Sequence, residues 1–148
     1  MTKRRILILC TGNSCRSQMA EALVRDLAEA EWEAHSAGTR PAGYVHRYAI
    51  AAMAEVGIDI AAQRSKSVTE FADQSFDYVV TVCDAARKEC PAFPGASKTL
   101  HWPLDDPAAM LDDKDAGLAV ARRVRDELRC KLAALIREDH CKSAEAMP

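Results

Sequence analysis

Hydrophobic positions along the chain occur either in short unbroken runs or at helical spacing, and the two patterns alternate. Unbroken runs are typical of strands buried on both faces of a sheet. These runs, together with the segment WEAHSAG, predict strands over 5–10, 32–38, 76–83 and 98–102. Apolar residues three or four apart predict helices over 17–30, 46–58 and 115–137, with a short one expected within 65–72.

The order of these elements predicts an α/β fold with a parallel sheet covered by helices on both faces. Ligands in such folds bind beyond the carboxyl ends of the strands. The first and third predicted strands end at Cys10 and Cys83, so both thiols are expected at the same edge of the sheet. Residues 1–137 are predicted to form a single domain, followed by a flexible C-terminal tail over 138–148.

The composition narrows the class of protein. A chain of 148 residues with 49% hydrophobic and 28% charged residues suits one domain with a core. Its formal net charge of −2 gives no reason to expect nucleic acid or a membrane surface as a partner. The apolar runs are too short for a membrane span or a secretory signal, so a cytoplasmic location is predicted. We expect a monomer.

The six cysteines are expected to be free thiols, because thiols stay reduced in the cytoplasm. Any disulfide among them should therefore be catalytic or sensing. No two cysteines have C-x-x-C spacing, and the four histidines are scattered along the chain. Neither a metal site nor a cofactor is predicted.

The loop after the first strand has the composition of an oxyanion site, framed by Cys10 and Arg16 as C-x5-R. A strand-to-helix loop points several backbone N–H groups at one spot, and the helix dipole adds positive potential. With the guanidinium of Arg16, these groups favour an oxyanion and a nucleophilic Cys10 thiolate. Gly12 allows close approach, Asn13 braces the loop or turns left-handed, and Ser17 caps the helix or donates to the thiolate. The predicted oxyanion-binding residues are Thr11, Gly12, Asn13, Ser14, Cys15 and Arg16.

With its flanks, this loop reads CTGNSCRSQMAEAL, which resembles the signature of the low-molecular-weight tyrosine phosphatase superfamily. More narrowly, it resembles the thioredoxin-coupled arsenate reductases on that fold. The resemblance continues through SAGT, VGIDI, VVTVC and HWPLDDPA, and it covers nearly the whole chain short of the tail. It implies a flavodoxin-like, three-layer αβα fold with a four-stranded parallel sheet. It also implies that Cys10 is the nucleophile, with Arg16 and Ser17 as catalytic neighbours.

A general acid is expected in the segment LDDPA, because an oxygen that leaves an attacked oxyanion needs a proton. The Asp-Pro motif of the superfamily falls on Asp106, which the resemblance therefore implies as the acid. Asp105 is the second candidate.

Cys83 and Cys90 separate two activities of this superfamily. A phosphatase needs one thiolate, whereas a reductase must supply two electrons and therefore needs a second thiol. The residues between the two cysteines are good helix formers, and seven residues of helix rise by about 10 Å. A disulfide needs Cα atoms within roughly 4.4–6.8 Å, so the segment would have to unwind. The resemblance implies that Cys83 attacks Cys10, that Cys90 then attacks Cys83, and that thioredoxin reduces the resulting disulfide.

A thioredoxin-coupled arsenate reductase is favoured over two alternatives. One is a phosphatase acting on phosphotyrosine or aryl phosphates; Ala108 and Ala109 weaken it, because phosphatase relatives usually carry an aromatic residue after the Asp-Pro motif. The other is a thiol-based redox or arsenic sensor. Glutaredoxin or a small thiol stays open as the electron donor, and weak phosphatase activity is compatible with the reductase.

The residue at one position differs from the pattern of the superfamily. Some members of the superfamily bind potassium beside the loop, at positions that match Asn13, Glu21, Ser36 and an aspartate, which Lys66 replaces here. The ammonium group of Lys66 is expected to pair with Glu21 in place of the ion, so potassium should activate little. The alternative for Lys66 is a solvated surface lysine.

Overall fold

The computed structural model describes residues 2–91, 93, 96, 98–110 and 112–146, with 143–146 by backbone alone. The strands are β1 (Arg4–Cys10), β2 (Trp32–Gly38), β3 (Tyr78–Thr81) and β4 (Lys98–His101). The helices are α1 (Arg16–Ala28), α2 (Arg47–Ala54), α3 (Asp84–Glu89) and α4 (Lys114–Ala146), with 3-10 turns at Val68–Phe71 and Pro107–Ala109. All strand pairs are parallel, in the order β2-β1-β3-β4. The predicted α/β class and four-stranded parallel sheet are confirmed.

The two faces of the sheet are covered unequally. On one face, α1, α2 and α4 pack over Ile6 and Ile8 and form the larger core. On the other face, Leu7 and Leu9 are covered by the first 3-10 turn and by α3. Within α3 only Ala86 is buried. Because burial of apolar area is the main stabilising contribution to packing, α3 is held far more weakly than the helices opposite.

The last helix is longer than the sequence predicts. It continues to Ala146, so residues 138–146 are helical where the sequence predicts a flexible tail, while 147 and 148 lie outside the described residues. The physical reason is Asp139, whose buried carboxylate accepts hydrogen bonds from Tyr78 Oη at 2.6 Å and from Arg4 Nε at 3.0 Å. A buried carboxylate requires such partners. They fasten the end of α4 to the sheet.

The ends of β3 and α2 also differ from the prediction. Strand β3 ends at Thr81, so Cys83 is the N-cap of α3 and not the last residue of a strand. The apolar run misled the prediction because Val82 stays fully buried beyond the end of the ladder. Helix α2 ends at Ala54 and not at 58, and Gly57 turns the chain there with a φ of +80°. Among the described residues, no helix is long and apolar enough to cross a membrane.

Candidate active site

The loop between β1 and α1 is folded around the thiol of Cys10, which is 2% exposed. The backbone N–H of Asn13 donates to Cys10 Sγ at 3.1 Å, and Ser17 Oγ lies 2.8 Å from the same sulfur. Ser17 lies inside α1, whose N-cap is Cys15. Of its two predicted roles, the structure therefore favours the hydrogen bond to Cys10 and not the cap.

Asn13 combines both roles expected of it. Its φ of +46° is left-handed, and its side chain braces the loop at the same time. The amide nitrogen donates to Ser17 Oγ at 2.8 Å and to Ser36 Oγ at 3.0 Å, while Oδ1 accepts from the backbone N–H of Lys66 at 2.7 Å. Asn13 thus connects Cys10 to β2 and to the segment that follows α2.

The guanidinium of Arg16 is fixed by the segment that follows β4, and one of its nitrogens has no partner in the described part of the chain. Nη1 donates to the backbone oxygen of Leu104 at 3.1 Å, and Nη2 lies 3.6 Å from Asp106 Oδ2. Nε is buried and has no hydrogen-bond partner among the described residues. Buried N–H groups are rarely left unpaired, so this nitrogen is suited to a bound anion.

A cavity of about 320 Å³ lies over the loop and brings most of the predicted site residues together. Its lining consists of Cys10, Thr11, Gly12, Ser14, Cys15, Arg16 and Asp106. Asp106 Oδ1 accepts from the N–H of Ala108 at 3.0 Å, which fixes the carboxylate at the cavity. The second candidate acid, Asp105, is 75% exposed in its side chain and pairs with Arg123 at 2.6 Å.

The second thiol reaches the same loop. Cys83 Sγ lies 3.2 Å from Thr11 Oγ1 and accepts from the N–H of Ala86 at 3.4 Å. It lines a cavity of about 310 Å³ to which Arg16 also contributes. Cys90 lies at the other end of α3, where its thiol donates to the oxygen of Pro91 at 3.3 Å and burial raises its pKa. The predicted helix between the two cysteines is therefore present.

The remaining cysteines lie in different surroundings. Cys15 is 1% exposed, and burial, followed by the charges of Asp106 and Cys10, raises its pKa to about 12. It therefore stays a neutral packing thiol at the cavity wall. Cys130 is exposed on α4. All six cysteines belong to the described part of the chain, and all are free thiols.

The predicted pair between Lys66 and Glu21 is present. Lys66 is 9% exposed, with Nζ 3.7 Å from Glu21 Oε1 and bonded to the oxygen of Arg64 at 2.9 Å. Burial lowers the pKa of Lys66, and the carboxylate of Glu21 opposes that shift. Oε1 also accepts from the N–H of Ser36 at 3.1 Å. The alternative of a solvated surface lysine is wrong.

Three features of the site went unpredicted. Gln18 is fully buried and donates to both oxygens of Asn13 at 3.0 Å. At Gly38, an added Cβ would stand 2.5 Å from the oxygen of Thr11, so only glycine fits against the loop. The hydroxyl of Thr11 itself contacts Cys83. Of these three residues, only Gly38 lies in a sequence motif, SAGT, that could have pointed to its role. Among the described residues, no cluster of three or more His, Cys, Asp or Glu side chains could hold a metal.

The parallel sheet and the thiol loop at the carboxyl end of its first strand define a phosphatase-type oxyanion-loop protein. Over residues 5–143 the chain matches the family model described as low molecular weight phosphotyrosine protein phosphatase, and it belongs to that family. The family expected from the loop is thus confirmed.

Among curated relatives, the chain is similar to two proteins named arsenate reductase. It is 45% identical to that of Halalkalibacterium halodurans over 86% of this chain and 91% of the relative. It is 43% identical to that of Shouchella clausii over 89% of this chain and 94% of the relative.

The chain is also similar to solved structures of arsenate reductases. An arsenate reductase in a phosphate-binding state has a TM-score of 0.77 and 32% identity, covering 91% of this chain and 98% of the other. A thioredoxin-dependent arsenate reductase of Corynebacterium glutamicum has a TM-score of 0.74 and 27% identity, covering 95% of this chain and 63% of the other.

Proposed function

We propose that the chain reduces arsenate to arsenite with three thiols, and that thioredoxin restores them. The observation that carries the proposal is the contact of Cys83 Sγ with the oxyanion loop, 3.2 Å from Thr11 Oγ1. Hydrolysis of a phosphate ester needs no second thiol at this place, whereas reduction of an oxyanion by two electrons does. The curated relatives named arsenate reductase support the same assignment.

In the first step the Cys10 thiolate attacks arsenic, and an As–S bond forms while one As–O bond breaks. Arg16 Nε and the backbone N–H groups of the loop bind the oxyanion and stabilise its charge in the transition state. Asp106, at the cavity wall, gives its proton to the departing oxygen, which leaves as water. Arsenic remains pentavalent at this stage.

In the second step the thiolate of Cys83 attacks Cys10 Sγ. An S–S bond forms, the As–S bond breaks, and its electron pair stays on arsenic, which leaves as arsenite. Two thiols are oxidised to one disulfide, and arsenic takes up the two electrons. The Thr11 hydroxyl and the Ala86 N–H, both bonded to Cys83 Sγ, stabilise its negative charge for this attack.

In the third step Cys90 attacks Cys83, which releases Cys10. Cys90 lies at the C-cap of α3 and Cys83 at its N-cap, so the six residues between them must lose their helical form. The cost is low, because within α3 only Ala86 is buried. Unwinding carries the Cys83–Cys90 disulfide to the surface, where thioredoxin reduces it by thiol exchange. The thioredoxin-dependent relative supports this choice of reductant.

The deciding experiment measures arsenite release in the presence of thioredoxin, thioredoxin reductase and NADPH, beside hydrolysis of para-nitrophenyl phosphate. Cys10→Ser should abolish both. Cys90→Ser should allow one turnover but stop continued reduction, and it should leave hydrolysis unchanged. Cys130→Ser, at an exposed thiol of α4, is the matched control and should behave as wild type. Continued arsenate reduction by Cys90→Ser with thioredoxin would refute the relay.

A further inference from the structure

A hydrogen-bonded bridge outside the oxyanion loop fixes the first residue of α3. The imidazole of His101, the last residue of β4, lies between Thr81 at the end of β3 and Asp84 at the start of α3. Nδ1 is 2.8 Å from Thr81 Oγ1, and Nε2 is 3.0 Å from Asp84 Oδ1. Thr81 is 2% exposed, so one end of the bridge is anchored inside the protein. The side chain of Asp84 is 80% exposed and has solvent around most of its surface.

Each ring nitrogen of His101 faces one of the two neighbours. An ionised carboxylate at Asp84 can only accept, so Nε2 carries the proton. At the other end, Nδ1 bonds to the hydroxyl of Thr81, which also donates to the backbone oxygen of Leu100 at 3.4 Å. The bridge therefore joins two strand ends to α3 through one rigid ring.

The bridge spans the two residues between its anchor points, Val82 and Cys83. The backbone of Val82 is held from both sides, since its N–H donates to the oxygen of Leu9 at 2.9 Å and its oxygen accepts from the N–H of Leu104 at 3.2 Å. Cys83 comes next, and Asp84 after it is held by His101. Cys83 is thus enclosed between two fixed residues.

We infer that His101 is a positioning residue for the second thiol: by holding Asp84, it keeps Cys83 directed at the oxyanion loop. The inference rests on the proposed function, because it concerns the attack of Cys83 on Cys10. It also has a consequence for the fold alone. The N-terminal end of α3, which buries little apolar surface, depends on this bridge for its order.

Kinetics separate the positioning role from a general loss of structure. His101→Ala should slow arsenite release in a single turnover about tenfold, the loss expected for one hydrogen bond to a charged group. Hydrolysis of para-nitrophenyl phosphate, which does not use Cys83, should stay within about twofold of wild type. His140→Ala, at an exposed histidine of α4, is the matched control and should change neither rate.

Two conservative variants distinguish the two halves of the bridge. The amide nitrogen of His101→Gln reaches the place of Nε2 and keeps the bond to Asp84, so release should stay near the wild-type rate. The amide nitrogen of His101→Asn takes the place of Nδ1 and cannot reach Asp84, so release should be as slow as in His101→Ala. Asp84→Ala should slow release equally, and the double variant H101A/D84A should be no slower than either single variant.

Amide hydrogen exchange tests the bridge independently of arsenate. Exchange over Asp84–Glu89 should be several-fold faster in His101→Ala than in wild type, and unchanged in His101→Gln. Wild-type protein that releases no arsenite would refute the proposed function. The amide exchange rates would still show whether His101 orders the N-terminal end of α3. Equal exchange over α3 and equal single-turnover rates in wild type and His101→Ala would overturn the inference. An equal loss of reduction and hydrolysis would also overturn it, since that would indicate a merely structural residue.

Discussion

Replacement of Lys66 by methionine tests whether the buried pair beneath the oxyanion loop stabilises the protein. The substitution keeps an unbranched side chain one atom shorter and the backbone N–H that donates to Asn13. It removes the ammonium group 3.7 Å from Glu21 Oε1 and leaves a carboxylate that is 2% exposed. Glu21 retains one cation, because Arg25 Nη2 lies 3.4 Å from the same oxygen.

The geometry sets the size of the effect. Two unit charges at this separation interact by about 4–5 kcal/mol at an effective dielectric constant of about 20. Part of that loss is recovered, because the ammonium group no longer has to leave water. Breaking a buried pair by removing one partner costs about 3–5 kcal/mol, and the cation that remains at Arg25 places this site at the lower end. We expect Lys66→Met to lower the free energy of unfolding by about 3 kcal/mol.

Urea unfolding followed by circular dichroism measures this loss. Lys3→Met, at an exposed lysine, is the matched control and should lie within about 0.5 kcal/mol of wild type. The double variant K66M/E21Q should recover part of the loss, since a neutral amide at position 21 can still accept from the N–H of Ser36. A Lys66→Met protein as stable as Lys3→Met would refute the argument.

Four further outcomes are expected. Potassium in place of sodium should leave the reductase rate of wild type within twofold, as the Lys66–Glu21 pair predicts; a several-fold rise would contradict it. Asp106→Asn should lower kcat for arsenate and para-nitrophenyl phosphate by about 100-fold or more, and an unchanged kcat would exclude it as the acid. Burial and the hydrogen bond to Asp139 raise the pKa of Tyr78 to about 12, above the ordinary value of 10.0. Between these two pH values the folded state keeps a proton that the unfolded chain loses, so the free energy of unfolding, measured with urea, should fall by up to roughly 1.4 kcal/mol per pH unit. Tyr78→Phe should make this fall less steep. An unchanged slope in Tyr78→Phe would refute the assignment of the fall to Tyr78. Truncation after residue 137 removes Asp139 and should lower the free energy of unfolding by about 2–3 kcal/mol, whereas wild-type stability in the truncated chain would indicate a dispensable tail.

Local patterns predicted the first two strands well. The bounds of β2 match the prediction, and β1 differs by one residue, because most buried positions in these strands carry apolar side chains, with Ser36 as a buried polar exception. The same rule failed at Cys83, since Val82 is buried without belonging to the ladder. Burial and strand pairing are separate properties, and the sequence pattern reports only the first.

Partners that lie far apart along the chain account for the other differences. The end of α4 is polar in sequence, and what orders it is the contact of Asp139 with Arg4 and Tyr78, from the other end of the chain and from β3. The oxyanion loop was predictable because its chemistry is contiguous from Cys10 to Ser17. The bridge through His101 was not, because its residues come from three elements and form no motif.

The thin cover on the second face of the sheet has a consequence for recognition between proteins. When α3 unwinds as proposed, Leu7, Leu9 and Val79 lose part of the cover that keeps water away from them. A newly exposed apolar patch of this kind is what protein partners bind. The oxidised enzyme would therefore differ from the reduced enzyme in shape and in exposed apolar surface as well as in one disulfide. A reductant that binds apolar surface could select the molecules that need electrons and ignore those that do not.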